Sequence, residues 1–243
     1  LLTATGGTLL GGPENQDLEA VVTAVELDSR AAHEGALFVA LRGEQTDGHR
    51  YISSAMANGA AGCLVEDDPG EYIPGKFYIQ VPSTLEAVGH VAKAYKEKFD
   101  IPVIGVTGSV GKTTTKDMIA AVLGRKFRVL KTEGNFNNNL GLPLTVLRLT
   151  DEHEMCVLEM GMDRFGEIDY LGATVKPNVG VITNIGDAHI ERLGSRENIL
   201  KAKCEMLDHL KPDGVAVLNA DDYYGPEAFQ TIYDYLLNNP DQP

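Results

Sequence analysis

The sequence predicts an α/β protein. A small N-terminal α/β domain over residues 1–82 precedes a P-loop domain over 83–243, a mostly parallel sheet with helices on both faces. Short apolar runs bounded by turn residues alternate with segments whose apolar residues recur every three or four positions, as in strand–helix–strand units. The run from Val103 passes through a glycine-bearing turn directly into a helical pattern. Several polar residues with chemical potential follow apolar runs, and open parallel sheets hold their ligands at such strand tips.

The predicted strands, in chain order, are Leu37–Leu41, Cys63–Glu66, Phe77–Val81, Val103–Val106, Met155–Glu159, Val179–Thr183 and Val215–Leu218. Between Phe77–Val81 and Val103–Val106, Leu85, Val88, Val91, Ala92 and Tyr95 repeat with helical period, so Thr84–Phe99 reads as a helix with Ser83 as its N-cap. Lys112–Leu123 and Arg196–Leu210 show the same pattern. A domain boundary is expected near Pro82, where the turn-rich first part ends. From Tyr223 to Pro243 the pattern becomes polar and aromatic, and the final Asn-Asn-Pro-Asp-Gln-Pro is expected to fray. The chain opens on Leu1 rather than a methionine, as expected of a processed or excised piece.

Composition narrows the function classes. With 43% hydrophobic and 23% charged residues, the chain is expected to bury a sizeable core. A net charge of -14 argues against nucleic acid as a partner, because phosphate backbones are bound by basic patches. No run approaches the ~20 apolar residues of a membrane span, so no membrane insertion is expected. Cys63, Cys156 and Cys204 are odd in number and far apart, which suits reduced, structural thiols.

The most informative string is Thr107-Gly108-Ser109-Val110-Gly111-Lys112-Thr113-Thr114. An apolar strand, a small-residue turn and a helix N-terminus together aim backbone N–H groups at phosphate oxygens. Lys112 is expected to reach the outer phosphates of a nucleotide and Thr113 to place its hydroxyl on magnesium. The match to the general phosphate-loop pattern is imperfect: Val106 stands where a glycine is usual. A glycine-rich turn with a solvated lysine is the plain alternative. Glu159 ends one apolar run, and Asp187 and His189 follow another, so both sets are candidate metal holders. By itself Lys203 reads as a surface lysine.

Taken together, these strings resemble the Mur ligases, and within them the dipeptide-adding branch. The resemblance runs from about Thr5 to Asp222 and rests on several further strings. They are Gly134-Asn135-Phe136-Asn137-Asn138, Gly141-Leu142-Pro143, Glu159-Met160-Gly161-Met162, Phe165-Gly166-Glu167-Ile168 and the run Thr183–Glu191. Lys201-Ala202-Lys203 and Leu218–Asp222 add to it, as do Asp28-Ser29-Arg30, Leu37–Gly43 and Asp47-Gly48-His49 near the N-terminus.

The resemblance implies a cytoplasmic enzyme of peptidoglycan synthesis. It implies ATP and two Mg2+ ions as cofactors, with UDP-N-acetylmuramoyl-tripeptide and D-alanyl-D-alanine as the partners to be joined through an acyl phosphate. On this reading Thr107 to Thr114 bind ATP. Thr113, Glu159, His189 and Lys203 hold metal, Lys203 as a carbamate, and Lys112, Lys203 and His189 serve catalysis. Ser29, Arg30, Arg42, Gly43, Asp47 and His49 frame the UDP-sugar, while Asn135, Asn137 and Asn138 line the path to ATP, unless these amides are simple loop formers. The family's C-terminal domain and the later part of its central domain are expected to be absent, so the segment alone is expected to hold at best a partial active site. Other enzyme readings are another Mur ligase or a folylpolyglutamate synthetase, which share the phosphate loop. A non-catalytic nucleotide-binding fragment and a P-loop switch are the remaining alternatives.

Overall fold

The structure is a computed structural model and describes residues 1–11, 21–43 and 46–219. The polar stretch from Tyr223 onward lies outside the described residues. The chain divides into two compact units, one from Leu1 to Ala94 and the other from Tyr95 onward.

The first unit holds α1 (Leu2–Thr5), β1 (Thr8–Gly11), β2 (Ala24–Glu26), β3 (Ala36–Val39), α2 (Ile52–Ala57), β4 (Gly62–Val65) and β5 (Phe77–Gln80). α3 (Thr84–Lys96) begins in this unit, and its last two residues fall past the division. The sequence-based boundary at Pro82 stands just before this helix. The sheet order is β1-β5-β4-β3-β2, with β1 antiparallel to β5 and the other neighbours parallel. Every residue of β3 and β4 is buried, which explains their unbroken apolar runs: a parallel strand covered on both faces has no side to leave polar. Phe38, Met56, Cys63, Val65 and Tyr78 form one core under α2. β1 and β2 carried no strand signal that periodicity could separate from turn; they are short strands at the two sheet edges.

The second unit is built on β6 (Val103–Thr107), α4 (Lys112–Leu123), β7 (Val129–Lys131), α5 (Gly141–Val146) and β8 (Met155–Glu159). It continues through α6 (Glu167–Val175), β9 (Val179–Ile182), α7 (Ile190–Leu193), α8 (Arg196–Cys204) and β10 (Val215–Leu218). All strands are parallel, in the order β10-β9-β6-β8-β7. Ile104, Val106, Ala120, Val157 and Val181 form a core between α4 and one face of the sheet. Connections leaving β6 and β9 run toward opposite edges, so their first loops part at the carboxyl end of the sheet and leave a crevice there.

Two predicted helices differ in detail. The segment expected as one helix to Leu210 stops at Cys204, and a separate 3-10 turn covers Leu207–His209. In α3 the inward stripe is Thr84, Ala87, Val88, Val91 and Ala92, whereas Leu85 is exposed. Periodicity alone cannot fix the phase of a stripe to one residue when alanines share it. All three thiols are buried, and burial pushes each up to about 12, so they are inert core residues, as read from their spacing.

Candidate active site

The loop after β6 is shaped by its neighbour across the crevice. The Ser109 N–H donates to the Asn184 carbonyl at 3.0 Å, and the Val110 N–H donates to Asn184 Oδ1 at 2.9 Å. Thr183 Oγ1 donates to the Val110 carbonyl at 2.6 Å, and Ser109 Oγ accepts from the Gly186 N–H at 2.8 Å. Thus the Ser109 and Val110 amides, expected from sequence to face a ligand, are committed to the loop after β9. The first-turn amides of α4 remain, which have no acceptor within the helix. Gly111 caps α4 with φ 81°, and nothing lies within 4 Å of a Cβ built there, which leaves room for a phosphate. Thr113 and Thr114 are exposed on this first turn. Lys112 folds back, its Nζ donating to the Gly108 carbonyl at 3.0 Å.

Glu159 ends β8 in register with Val106, one strand from the loop. It is 2% exposed. Its Oε1 accepts from Asn137 Nδ2 at 2.9 Å, its backbone N–H donates to Thr132 Oγ1 at 2.9 Å, and its Oε2 is buried with no hydrogen-bond partner. A buried carboxylate oxygen left open beside a phosphate loop fits a hard divalent cation, and the Thr107 hydroxyl at the end of β6 is likewise buried and open.

Lys203 sits on α8, whose first turn is capped by Ser195 Oγ accepting from the Asn198 N–H. It is 2% exposed, and burial, then the Lys112 ammonium, push it down to about 7. The structure therefore brings Lys203 into the field of the phosphate-loop lysine, where sequence alone reads a surface residue.

His189 adopts a left-handed conformation, φ 65°, immediately before α7. Its Nδ1 meets Asp163 Oδ1 at 3.0 Å, and Asp163 also pairs with Arg192. A carboxylate on one imidazole nitrogen orients the ring and directs the other nitrogen outward, the usual support of a metal-binding histidine. Asp187 is instead paired with Arg196, which holds its carboxyl below the ordinary range. Among the described residues no three His, Cys, Asp or Glu side chains converge on one point.

The asparagines separate. Asn137 touches Glu159, as above. Asn138 is a loop former: its Oδ1 accepts from the Leu140 and Gly141 N–H groups at the start of α5. Asn135 is exposed. In the first unit Arg42, Asp47 and His49 meet at the carboxyl ends of β3 and β4. Arg42 pairs with Asp67 and lies 3.5 Å from Glu66 and 3.7 Å from Asp47. His49 Nε2 accepts from the Glu66 and Asp67 N–H groups, so its proton sits on Nδ1, 2.6 Å from Asp47 Oδ1. Gly43 closes the adjoining turn through its N–H to the Thr46 carbonyl. Ser29 is buried, its carbonyl accepting from Asn58 Nδ2, and Arg30 pairs with Asp28 at the surface.

Sequence reasoning missed Lys116, Thr132, Asp163 and Glu205. Lys116 carried one signal, standing a helical turn beyond Lys112. The others are supports that become visible only when strands and helices are assembled. Glu167 in the Phe165–Ile168 string accepts from the Asp163 and Arg164 N–H groups and so shapes the loop that reaches His189.

Residues 106–235 match the family model described as Mur ligase middle domain, and residues 21–96 match that described as Mur ligase family, catalytic domain. The chain belongs to the Mur ligase family. This Mur ligase chain is 47% identical over 204 residues to the UDP-N-acetylmuramoyl-tripeptide--D-alanyl-D-alanine ligase of Bacillus subtilis, covering 84% of the chain and 45% of the relative. It is 47% identical over 208 residues to the ligase of that name in Synechocystis, covering 85% and 45%. Among solved structures it is similar to MurF of Acinetobacter baumannii, with TM-score 0.85, 35% identity, and 96% and 50% of the two chains covered. It is also similar to the Thermotoga maritima MurF ligase in complex with ADP, with TM-score 0.80, 36% identity, and 90% and 50% covered. This Mur ligase chain thus spans about half the length of the relatives it matches. Among its described residues no helix is long and apolar enough to cross a membrane.

Proposed function

We propose that this protein acts as an ATP-dependent carbon–nitrogen ligase of peptidoglycan precursor synthesis in the cytoplasm, joining D-alanyl-D-alanine to UDP-N-acetylmuramoyl-tripeptide. The observation that carries the reading is the open, buried Oε2 of Glu159 one strand away from the loop leading to Lys112. The names of the relatives in Bacillus subtilis and Synechocystis support the substrate pair.

In this reading the first 82 residues hold the UDP-sugar, with Arg42, Gly43, Asp47 and His49 at the strand ends and Ser29 and Arg30 nearby. The rest contributes to the ATP site. ATP supplies a phosphoryl group that turns the tripeptide carboxylate, a poor electrophile, into an acyl phosphate. Lys112 and the first-turn amides of α4 hold the outer phosphates and offset their charge. Thr113 and Glu159 are the residues that would hold one Mg2+. His189, oriented by Asp163, and Lys203 would hold the second. A Lys203 amine with its proton loosely held is suited to take up carbon dioxide, and the resulting carbamate is an anion able to meet a cation. Asn137 keeps Glu159 facing the crevice.

The test is amide formation and phosphate release from ATP with UDP-N-acetylmuramoyl-tripeptide, comparing D-alanyl-D-alanine with single amino acids. Product with the dipeptide alone, lost in Lys112→Ala, is the expected result. Product with a single amino acid and none with the dipeptide would place the protein in another branch. Run on residues 1–243 by themselves, the assay is expected to give little turnover, because these residues span half of the matching ligases.

A further inference from the structure

The buried cation Lys116 lies behind the proposed metal carboxylate. Lys116 is 2% exposed on α4, a turn past Lys112 and on the face packed against the sheet. Its Nζ donates to the Thr132 carbonyl at 2.8 Å, lies 3.4 Å from Asp117 Oδ1 and stands 4.0 Å from Glu159 Oε2. Thr132 is itself fully buried, and its hydroxyl receives the Glu159 N–H. Both the backbone and the open oxygen of Glu159 are therefore referred to one ammonium.

We propose that Lys116 is a positioning residue that sets the orientation of the Glu159 carboxylate toward a nucleotide-bound divalent cation. The inference rests on the reading of Glu159 as a metal holder. A long buried lysine costs side-chain entropy and desolvation, and a purely packing role would be met as well by methionine. The 4.0 Å separation is longer than a hydrogen bond, so the ammonium attracts Oε2 without capping it. Asn137 holds Oε1 from the other side. The carboxylate is thus fixed at one oxygen and left available at the other. Lys116 shares its charge with Asp117, and this weakens its repulsion of an incoming cation.

The test measures ADP binding by calorimetry with and without Mg2+ for the unsubstituted protein, Lys116→Met, Glu159→Gln and the double variant. In Lys116→Met the gain in ADP affinity brought by Mg2+ is expected to fall about tenfold, as for other residues that support a metal ligand. Affinity for ADP without metal stays unchanged, and in the Glu159→Gln background the Lys116 substitution adds nothing. Lys116→Gln keeps a donor for the Thr132 carbonyl and replaces Lys116→Met if the latter does not fold. An unchanged or larger Mg2+-dependent gain in a folded Lys116 variant, with Glu159→Gln impaired, overturns the positioning role alone. Equal losses with and without Mg2+ do the same, since they mark a structural defect of the loop. A Glu159→Gln variant with normal Mg2+ dependence, or no ADP binding by the unsubstituted protein, overturns the metal reading and this inference with it.

Discussion

Asn184 Oδ1 accepts the backbone N–H of Val110 at 2.9 Å, so the second residue beyond β9 dictates the path of the loop after β6. The same residue's carbonyl receives the Ser109 N–H. Asn184→Ala removes the side-chain acceptor and is expected to cost about 0.5–1.5 kcal/mol of loop order, read as a several-fold weaker affinity for ADP. Asn184→Asp, which keeps an oxygen there, restores most of it. Equal calorimetric affinities for the alanine variant and the unsubstituted protein would contradict the assignment.

Gly108 and Gly111 are expected to respond differently to alanine. At Gly108 φ is 146° and a Cβ would fall 1.9 Å from Thr183 Oγ1, the hydroxyl that secures the Val110 carbonyl. At Gly111 φ is 81° and the space is open. Gly111→Ala therefore carries only the backbone cost, about 1–2 kcal/mol. Gly108→Ala adds a clash that breaks the Thr183 contact and should lower the urea midpoint further. Equal midpoints would show that the Thr183 side chain yields freely.

Lys203 predicts a pH-dependent stability. Its native value of about 7 lies below its ordinary 10.5. Below about pH 7 the amine is charged in both states and the cost of burying it is fully present. Between these values only the unfolded chain keeps the proton, so this group makes stability rise with pH by about 1.4 kcal/mol per pH unit. Lys203→Met removes the dependence. In CO2-free buffer, its stability advantage over the unsubstituted protein should shrink by about 2 kcal/mol between pH 6 and 8.5. A constant difference across that range would refute the shift.

Glu205 closes the N-terminus of α6 from the end of α8. Its carboxylate accepts from the Gly166 N–H at 2.9 and 3.1 Å and from the Asp169 N–H at 3.1 Å. Burial nonetheless raises its pKa. Glu205→Ala should cost about 1–2 kcal/mol, as for loss of a helix cap, while Glu205→Gln keeps an acceptor and loses only the attraction of charge to the helix end, about 0.3–1 kcal/mol. Thermal denaturation of the pair gives the order, and the reverse order would deny the capping role.

Much of the fold was legible because parallel strands covered on both faces must be apolar, as β3 and β4 are throughout and β6 and β8 are up to their last residues, Thr107 and Glu159. β2 and β7, with only three residues each, were not, because so short an edge segment leaves no period to read. At the site, Lys112, Glu159 and His189 could be picked out by type and by their place after apolar runs. Asp163, Thr132 and Lys116 could not, since each acts on a residue distant in sequence.

By itself the sequence determined that a glycine-bearing turn joins an apolar strand to a helix opened by Lys112, and that acidic and imidazole groups follow two other apolar runs. Backbone preference and hydrophobic burial are local enough to be written in consecutive residues. Only the tertiary structure decided that Asn184 holds the Ser109 and Val110 amides, that one oxygen of Glu159 stays open, and that Lys203 is buried near Lys112. Those facts depend on which strand lies beside which, and hydrogen bonding and desolvation act between atoms that the chain order keeps far apart.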